Sequence, residues 1–112
     1  MQYEYFYGAQ AEQFSFYRIP KALFTEPNFR ELSTDAKVLY GILLDRMSLS
    51  LKNQWLDAQN KVYIIFTVEE IMDALNCANQ KATRLMVELE KQAGLIERKR
   101  QGLGRPNLIY VK

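Results

Sequence analysis

The stretch of residues 67–112 leaves few choices of fold. Residues 67–75 read as a helix, 76–79 as a tight turn, and 80–93 as a second helix. A strand over 95–100, a basic glycine-containing loop over 101–106 and a return strand over 107–111 follow. Two helices joined by three or four residues and followed by a basic β-hairpin have the local order of a winged helix-turn-helix. The expected fold class is therefore mainly α with a small antiparallel sheet, and the chemistry to test first is contact with a DNA duplex.

The first helix of the pair opens on a capping-box pattern. The Thr67 hydroxyl can accept from the third helical amide while Glu70 reaches back to the Thr67 amide. Val68, Ile71, Met72 and Leu75 recur at i, i+3, i+4 and i+7 and so share one face. The second helix repeats the pattern with Ala82, Leu85, Met86, Leu89 and Ala93. The opposite face carries Gln80, Arg84, Val87 and Lys91, with Lys81 and Thr83 on its flanks. Asn79, Gln80, Lys81, Thr83 and Arg84 form a set suited to base edges in a major groove, where Arg or Lys pairs with guanine and Asn or Gln with adenine. An ordinary amphipathic helix would have a similar polar face, so the hairpin after it matters. There Arg98, Lys99, Arg100, Gln101 and Arg105 surround Gly102 and Gly104 without an acid among them. Flexible arginines on a tight tip suit phosphates or a narrow minor groove.

The charge is polarised in the same sense. Residues 79–112 hold eight Lys and Arg against three Glu, net +5, and residues 1–78 hold seven against ten acids, net −3. The modest total of +2 thus conceals a basic footprint, which points to a polyanion partner. No histidine is present, which removes the commonest general base and metal ligand together. One cysteine, Cys77, builds neither a disulfide framework nor a zinc site, and its place in the inter-helix turn suits packing. Neither catalytic residues nor a cofactor is expected, and the adjacent acids Glu69 and Glu70, and the nearby Glu88 and Glu90, are expected to be solvated. No apolar run is long enough for a membrane span and no signal-peptide pattern begins the chain, so a cytoplasmic protein is expected.

Tyr3, Tyr5 and Tyr7 alternate, and so do Phe14 and Phe16 after a short polar interruption. That pattern predicts an N-terminal aromatic β-hairpin over residues 1–17, ahead of a winged-helix unit over 18–112. An isolated hairpin is marginal in water, leaving three uses for the aromatics: packing on their own domain, a dimer contact, or base stacking. Further on, Ser33 is placed to cap a helix with Asp35 near its positive end, and Ala36, Leu39, Tyr40, Leu43 and Met47 form its inward stripe. Residues 48–61 lose the pattern and are expected to be a long loop, with Trp55 plugging it onto the core. Residues 62–66 fit a short strand beside the wing.

Several stretches together carry a family likeness: Phe16-Tyr17-Arg18-Ile19-Pro20-Lys21-Ala22-Leu23-Phe24, then Leu32-Ser33, Ala36-Lys37 and Leu39-Tyr40, and Leu44-Asp45-Arg46-Met47-Ser48-Leu49-Ser50. Lys52-Asn53 with Trp55 and Asp57, Val62-Tyr63-Ile64, Gln101-Gly102-Leu103-Gly104-Arg105-Pro106-Asn107 and Ile109-Tyr110 continue it. With these, the chain resembles the N-terminal domain of RepA-type plasmid replication initiators of Gram-positive bacteria. The resemblance implies a dimeric winged-helix domain that binds repeated double-stranded sites at a plasmid origin. In the family a more variable C-terminal domain follows, through which replication proteins could be engaged. A transcriptional repressor would use the same DNA chemistry, and an initiator–initiator or replisome interaction module is the reading from a different class.

Overall fold

The computed structural model describes residues 2–8 and 14–112. Helix α1 (Ala22–Thr25) is a single turn followed by a 3-10 turn (Pro27–Phe29), with Pro27 at its first position, where a missing amide costs nothing. Helix α2 (Thr34–Lys52) starts where Ser33 caps it, its hydroxyl accepting from the Ala36 amide at 3.1 Å. Ala36, Leu39, Tyr40 and Leu43 are buried along it and Met47 is half-buried, as the inward stripe requires.

Gly41 lies on the same helix where the incoming chain crosses. A Cβ there would meet Ile19 Cγ1 at 2.9 Å and the Arg18 carbonyl oxygen at 3.0 Å. Only glycine lets residues 18–19 lie this close to the helix backbone. The root of the N-terminal segment is thereby fixed against α2.

Helix α2 continues to Lys52, so the long loop expected over 48–61 begins only at Asn53. Of the polar residues that obscured the pattern, Ser48 and Lys52 lie on its solvated face, whereas Ser50 is buried. Beyond it the chain folds into a small irregular hairpin closed by a Leu56–Val62 bridge, in which Asp57 Oδ1 accepts from the Gln59 and Lys61 amides at 2.9 and 2.8 Å. Trp55 does not plug the core: it remains 42% exposed and stacks on Tyr63 with ring centres 6.3 Å apart.

Helices α3 (Val68–Leu75) and α4 (Asn79–Val87) follow, and α4 runs directly into a π-helical segment (Glu88–Gln92). The π segment replaces the regular helix expected to reach Ala93, and Ala93 N donates to Glu88 O across five residues. Strands β1 (Ile96–Lys99) and β2 (Leu108–Val111) pair antiparallel, with Ile96 opposite Val111 and Lys99 opposite Leu108. The strand expected over 62–66 shrinks to one point of contact: Ile64 and Ile109 exchange both backbone hydrogen bonds at 2.9 Å. Leu39, Leu43, Ile64, Ile71, Leu85, Leu89, Ile96 and Ile109 interlock as the core, joining α2, α3, α4 and the sheet. This is the winged-helix layout: three helices over a small sheet whose two main strands form the wing. No helix among the described residues is long and apolar enough to cross a membrane.

The expected N-terminal hairpin has no β-ladder among its described residues. Residues 9–13, where its turn was expected, lie outside the described residues. Its two limbs meet through an aromatic edge instead, Phe6 against Phe14 at 5.4 Å, and Phe14 also meets Phe16 of its own limb at 6.4 Å. Two limbs without a covering layer have little to stabilise a ladder in water.

Candidate nucleic-acid interface

Helix α3 is fixed at its start by the reciprocal capping box: Glu70 N donates to Thr67 Oγ1 and Thr67 N to Glu70 Oε1, both at 3.1 Å. Glu70 also pairs with Arg46 of α2, whose guanidinium lies over the Phe66 ring at 4.8 Å. The helix ends at Asn76, which takes a left-handed conformation with φ 52° and turns the chain sharply. Cys77 is half-buried in that turn, as its packing role requires.

Ala78 occupies the position before α4, with no side-chain cap. Asn79 is the first helical residue, and its Oδ1 accepts from the Thr83 hydroxyl at 3.5 Å. The leading amides of α4 therefore lack a side-chain partner, and the helix presents its positive end without an acid in its first turn. Ala82, Leu85 and Met86 face the core, while Asn79, Gln80, Thr83, Arg84 and Val87 are exposed.

Lys81 departs from that outward set. It is half-buried, and its ammonium lies 2.6 Å from Asp35 in the first turn of α2. At 100° per residue it sits a quarter-turn from Gln80, on the flank that meets α2, so its charge is already answered within the domain.

The wing sorts its cations in the same way. Alternation along β1 turns Ile96 and Arg98 inward and Glu97 and Lys99 outward. Arg98 is not a free wing cation. Its Nε and Nη2 donate to Glu90 Oε1 at 3.0 and 2.7 Å, and its backbone amide donates to Glu90 Oε2 at 3.2 Å. The Arg98 guanidinium holds the Glu90 carboxyl below the usual carboxylate range against the opposing effect of partial burial.

Lys99, Arg100 and Arg105 are exposed, and none has an ion-pair partner among the described residues. Gln101 is exposed too, but its amide donates to the Pro106 carbonyl at 2.8 Å and braces the loop. The tip closes through Arg105 N donating to Gly102 O at 3.4 Å, with Gly102 and Gly104 at φ 117° and 76°, which residues with a Cβ rarely adopt. At its base, Arg105, Pro106 and Asn107 border a hollow of about 300 Å³ together with Thr67–Glu69 and Met86. The wing thus stands beside the start of α3 and the end of α4.

Glu88 and Glu90, expected on a solvated surface, are instead part-buried and tied down. Glu88 accepts from both the backbone amide and the hydroxyl of Ser33, each at 2.9 Å, and so locks the cap of α2 onto the end of the recognition-helix candidate. Glu88 opens the π segment, and the wider turn that follows rotates Glu90 away from its regular helical direction. An inward-alternating arginine in β1 was the one sequence signal that an acid must lie beneath the wing. Among the described residues no group of three or more His, Cys, Asp or Glu is arranged to hold a metal.

The family described as Replication initiator protein A (RepA) N-terminus matches residues 15–112. The chain belongs to this family. Among relatives of the RepA N-terminal domain, a 41 kDa protein of Lactobacillus helveticus is 32% identical over 92 residues, which is 82% of this chain and 26% of that protein. The chain thus spans about a quarter of that relative's length. A solved structure described as the N-terminal domain of a DNA binding protein is 40% identical with a TM-score of 0.80, covering 99% of this chain and 84% of that one. A second, described as the structure of a Rep-DNA complex, is 39% identical with a TM-score of 0.80 over 97% of this chain and 83% of that one. A third, described as the structure of an MDR initiator, is 40% identical with a TM-score of 0.77 over 97% and 85%. The likeness in sequence and shape extends over α2, the helix pair and the wing together.

Proposed function

We propose that this RepA N-terminal domain is the duplex-binding module of a plasmid replication initiator, acting on repeated sites at the origin. Helix α4 enters the major groove with Asn79, Gln80, Thr83 and Arg84 toward the bases, while Lys99, Arg100 and Arg105 hold the flanking backbone. Lys81 and Arg98 serve the scaffold that aims these groups. The observation that carries the reading is the sorting of charge: exposed cations on α4 and the wing lack acidic partners among the described residues, whereas inward cations have them. Membership of the initiator family and likeness to a structure described as a Rep-DNA complex support the same conclusion.

The domain works by binding, with no catalytic step and no cofactor, in the cytoplasm where plasmid DNA resides. Replication proteins are engaged through regions of the initiator outside this domain. Selection of bound duplexes from a random pool tests the proposal: recovery of a repeated motif is the expected result, and equal retention of all sequences would refute it. The motif's spacing also counts protomers.

A second surface has its own support. Tyr3 and Tyr5 are 85% and 83% exposed, and Phe14 and Phe16 are exposed as well, a concentration of aromatic area that suits a homodimer contact including Tyr7. Sedimentation of the chain and of a version starting at Phe14 decides this. A fall from dimer to monomer on truncation is expected, and an unchanged mass removes the tyrosines from assembly.

A further inference from the structure

Leu103 is completely exposed, at 100%, on the tip of the wing. A lone surface leucine is ordinary, since apolar atoms make up over half of any protein surface. This one is unusual in its mounting. It stands between two glycines in conformations with positive φ, in a loop braced by the Gln101–Pro106 hydrogen bond and closed by the Arg105–Gly102 turn. Neither glycine has a described neighbour within 4 Å of where its Cβ would be, so the tip around the leucine stands open. Arg100 and Arg105 flank it, and neither has an ionic partner among the described residues.

An apolar point between two free guanidinium groups suits a surface that is anionic at its rims and apolar within. A nucleic-acid groove has that composition: phosphates line its edges and stacked bases form its floor. A purely phosphate-binding wing has no use for leucine at its apex, and a protein-binding patch would not isolate one side chain on a cationic stalk.

We propose that Leu103 is a wedge. Resting on the duplex-binding reading above, it enters the minor groove beside the α4 site and partly unstacks one base step. Apolar side chains used in this way kink the duplex toward the major groove. Flexible pyrimidine–purine steps deform at the lowest cost, so the wedge makes the domain sensitive to the sequence beneath the wing without hydrogen bonds to those bases.

The test uses the protein and its Leu103→Ala and Leu103→Met variants on the duplex recovered by selection. A donor–acceptor dye pair on the duplex ends reports bending, and 2-aminopurine placed at steps under the wing reports unstacking. The parent is expected to shorten the end-to-end distance and raise 2-aminopurine emission at one step. Leu103→Ala should abolish both signals and weaken binding about five- to thirtyfold, with an unchanged salt slope, while Leu103→Met retains them. If the parent binds its selected duplex without bending or unstacking it, or if Leu103→Ala behaves as the parent does, the wedge is refuted and duplex binding stands. If the parent binds no duplex selectively, both proposals fall.

Discussion

Replacing Glu90 by Gln separates the scaffold from the reader. Glu90 accepts three hydrogen bonds from Arg98, two of them from the guanidinium, and the two side chains are 17% and 25% exposed. A fully buried pair broken on one side costs about 3–5 kcal/mol, and an exposed pair about 0.2–1 kcal/mol. With roughly a fifth of each side chain still wet, and with glutamine keeping one acceptor, the loss should be about 2 kcal/mol. For a domain of this size that lowers the melting temperature by about 8 °C near neutral pH.

The dependence on pH gives an independent check. The folded-state pKa of Glu90 is depressed, with Arg98 as the main cause, so its contribution is complete above the ordinary glutamate value of 4.5 and is lost as pH falls through the lower folded value. Thermal melts of parent and Glu90→Gln by circular dichroism should therefore differ at pH 7 and converge in the acid range below pH 4.5. Equal melting temperatures at pH 7, or a gap that persists undiminished in acid, would refute the clamp. Binding supplies the last arm: under conditions where the variant is folded, its affinity for the selected duplex should remain within about threefold of the parent, because Arg98 is not among the groups proposed to touch DNA.

Two further substitutions follow from the same geometry. Arg84→Ala should cost about 1–3 kcal/mol of duplex affinity and relax specificity at one base pair, measured by fluorescence anisotropy over single-base variants of the selected site; a uniform loss over all bases would place Arg84 on phosphate. Gly41→Ala must displace the Arg18 carbonyl and Ile19 from α2 and should destabilise folding by about 1–3 kcal/mol in urea titration, whereas unchanged stability would show that the N-terminal root is not fixed there.

The parts legible in the sequence were those determined by neighbours a few residues away. The Thr67–Glu70 box spans three residues and both its hydrogen bonds are present; the four-residue periodicity of α2, α3 and α4 put the right side chains in the core. The family likeness, too, was carried by residues whose pattern is visible in one dimension. What escaped depends on pairs far apart in the chain or on departures from a regular period. Lys81 and Asp35, 46 positions apart, look independent until α2 packs on α4. Glu90 and Arg98 are close in sequence, yet a regular helix would send Glu90 to solvent, and only the π segment brings it under the wing. The end of α2 was obscured by Ser48 and Lys52, whose polarity describes an exposed helix face as well as it describes a loop, and by Ser50, a polar residue that is buried.

Pairing also changes what the basic skew means. Of the eight cations in residues 79–112, Lys81, Arg98 and Lys112 have acidic partners at 2.6, 2.7 and 3.6 Å, which leaves five without an ion pair among the described residues: Arg84, Lys91, Lys99, Arg100 and Arg105. With Arg84 assigned to a base and Lys91 beyond the end of α4, the phosphates neutralised by the wing number about three per protomer. The logarithm of affinity should then fall with the logarithm of salt at a slope of about −3 per protomer, and Lys99→Ala should flatten it by about one while weakening all sequences alike. A net charge of +5 counted without pairing would suggest a slope nearer −5 per protomer. A measured slope that steep would put Arg84 and Lys91 on phosphates as well and overturn the assignment of Arg84 to a base, and a slope that Lys99→Ala leaves unchanged would remove Lys99 from the contact.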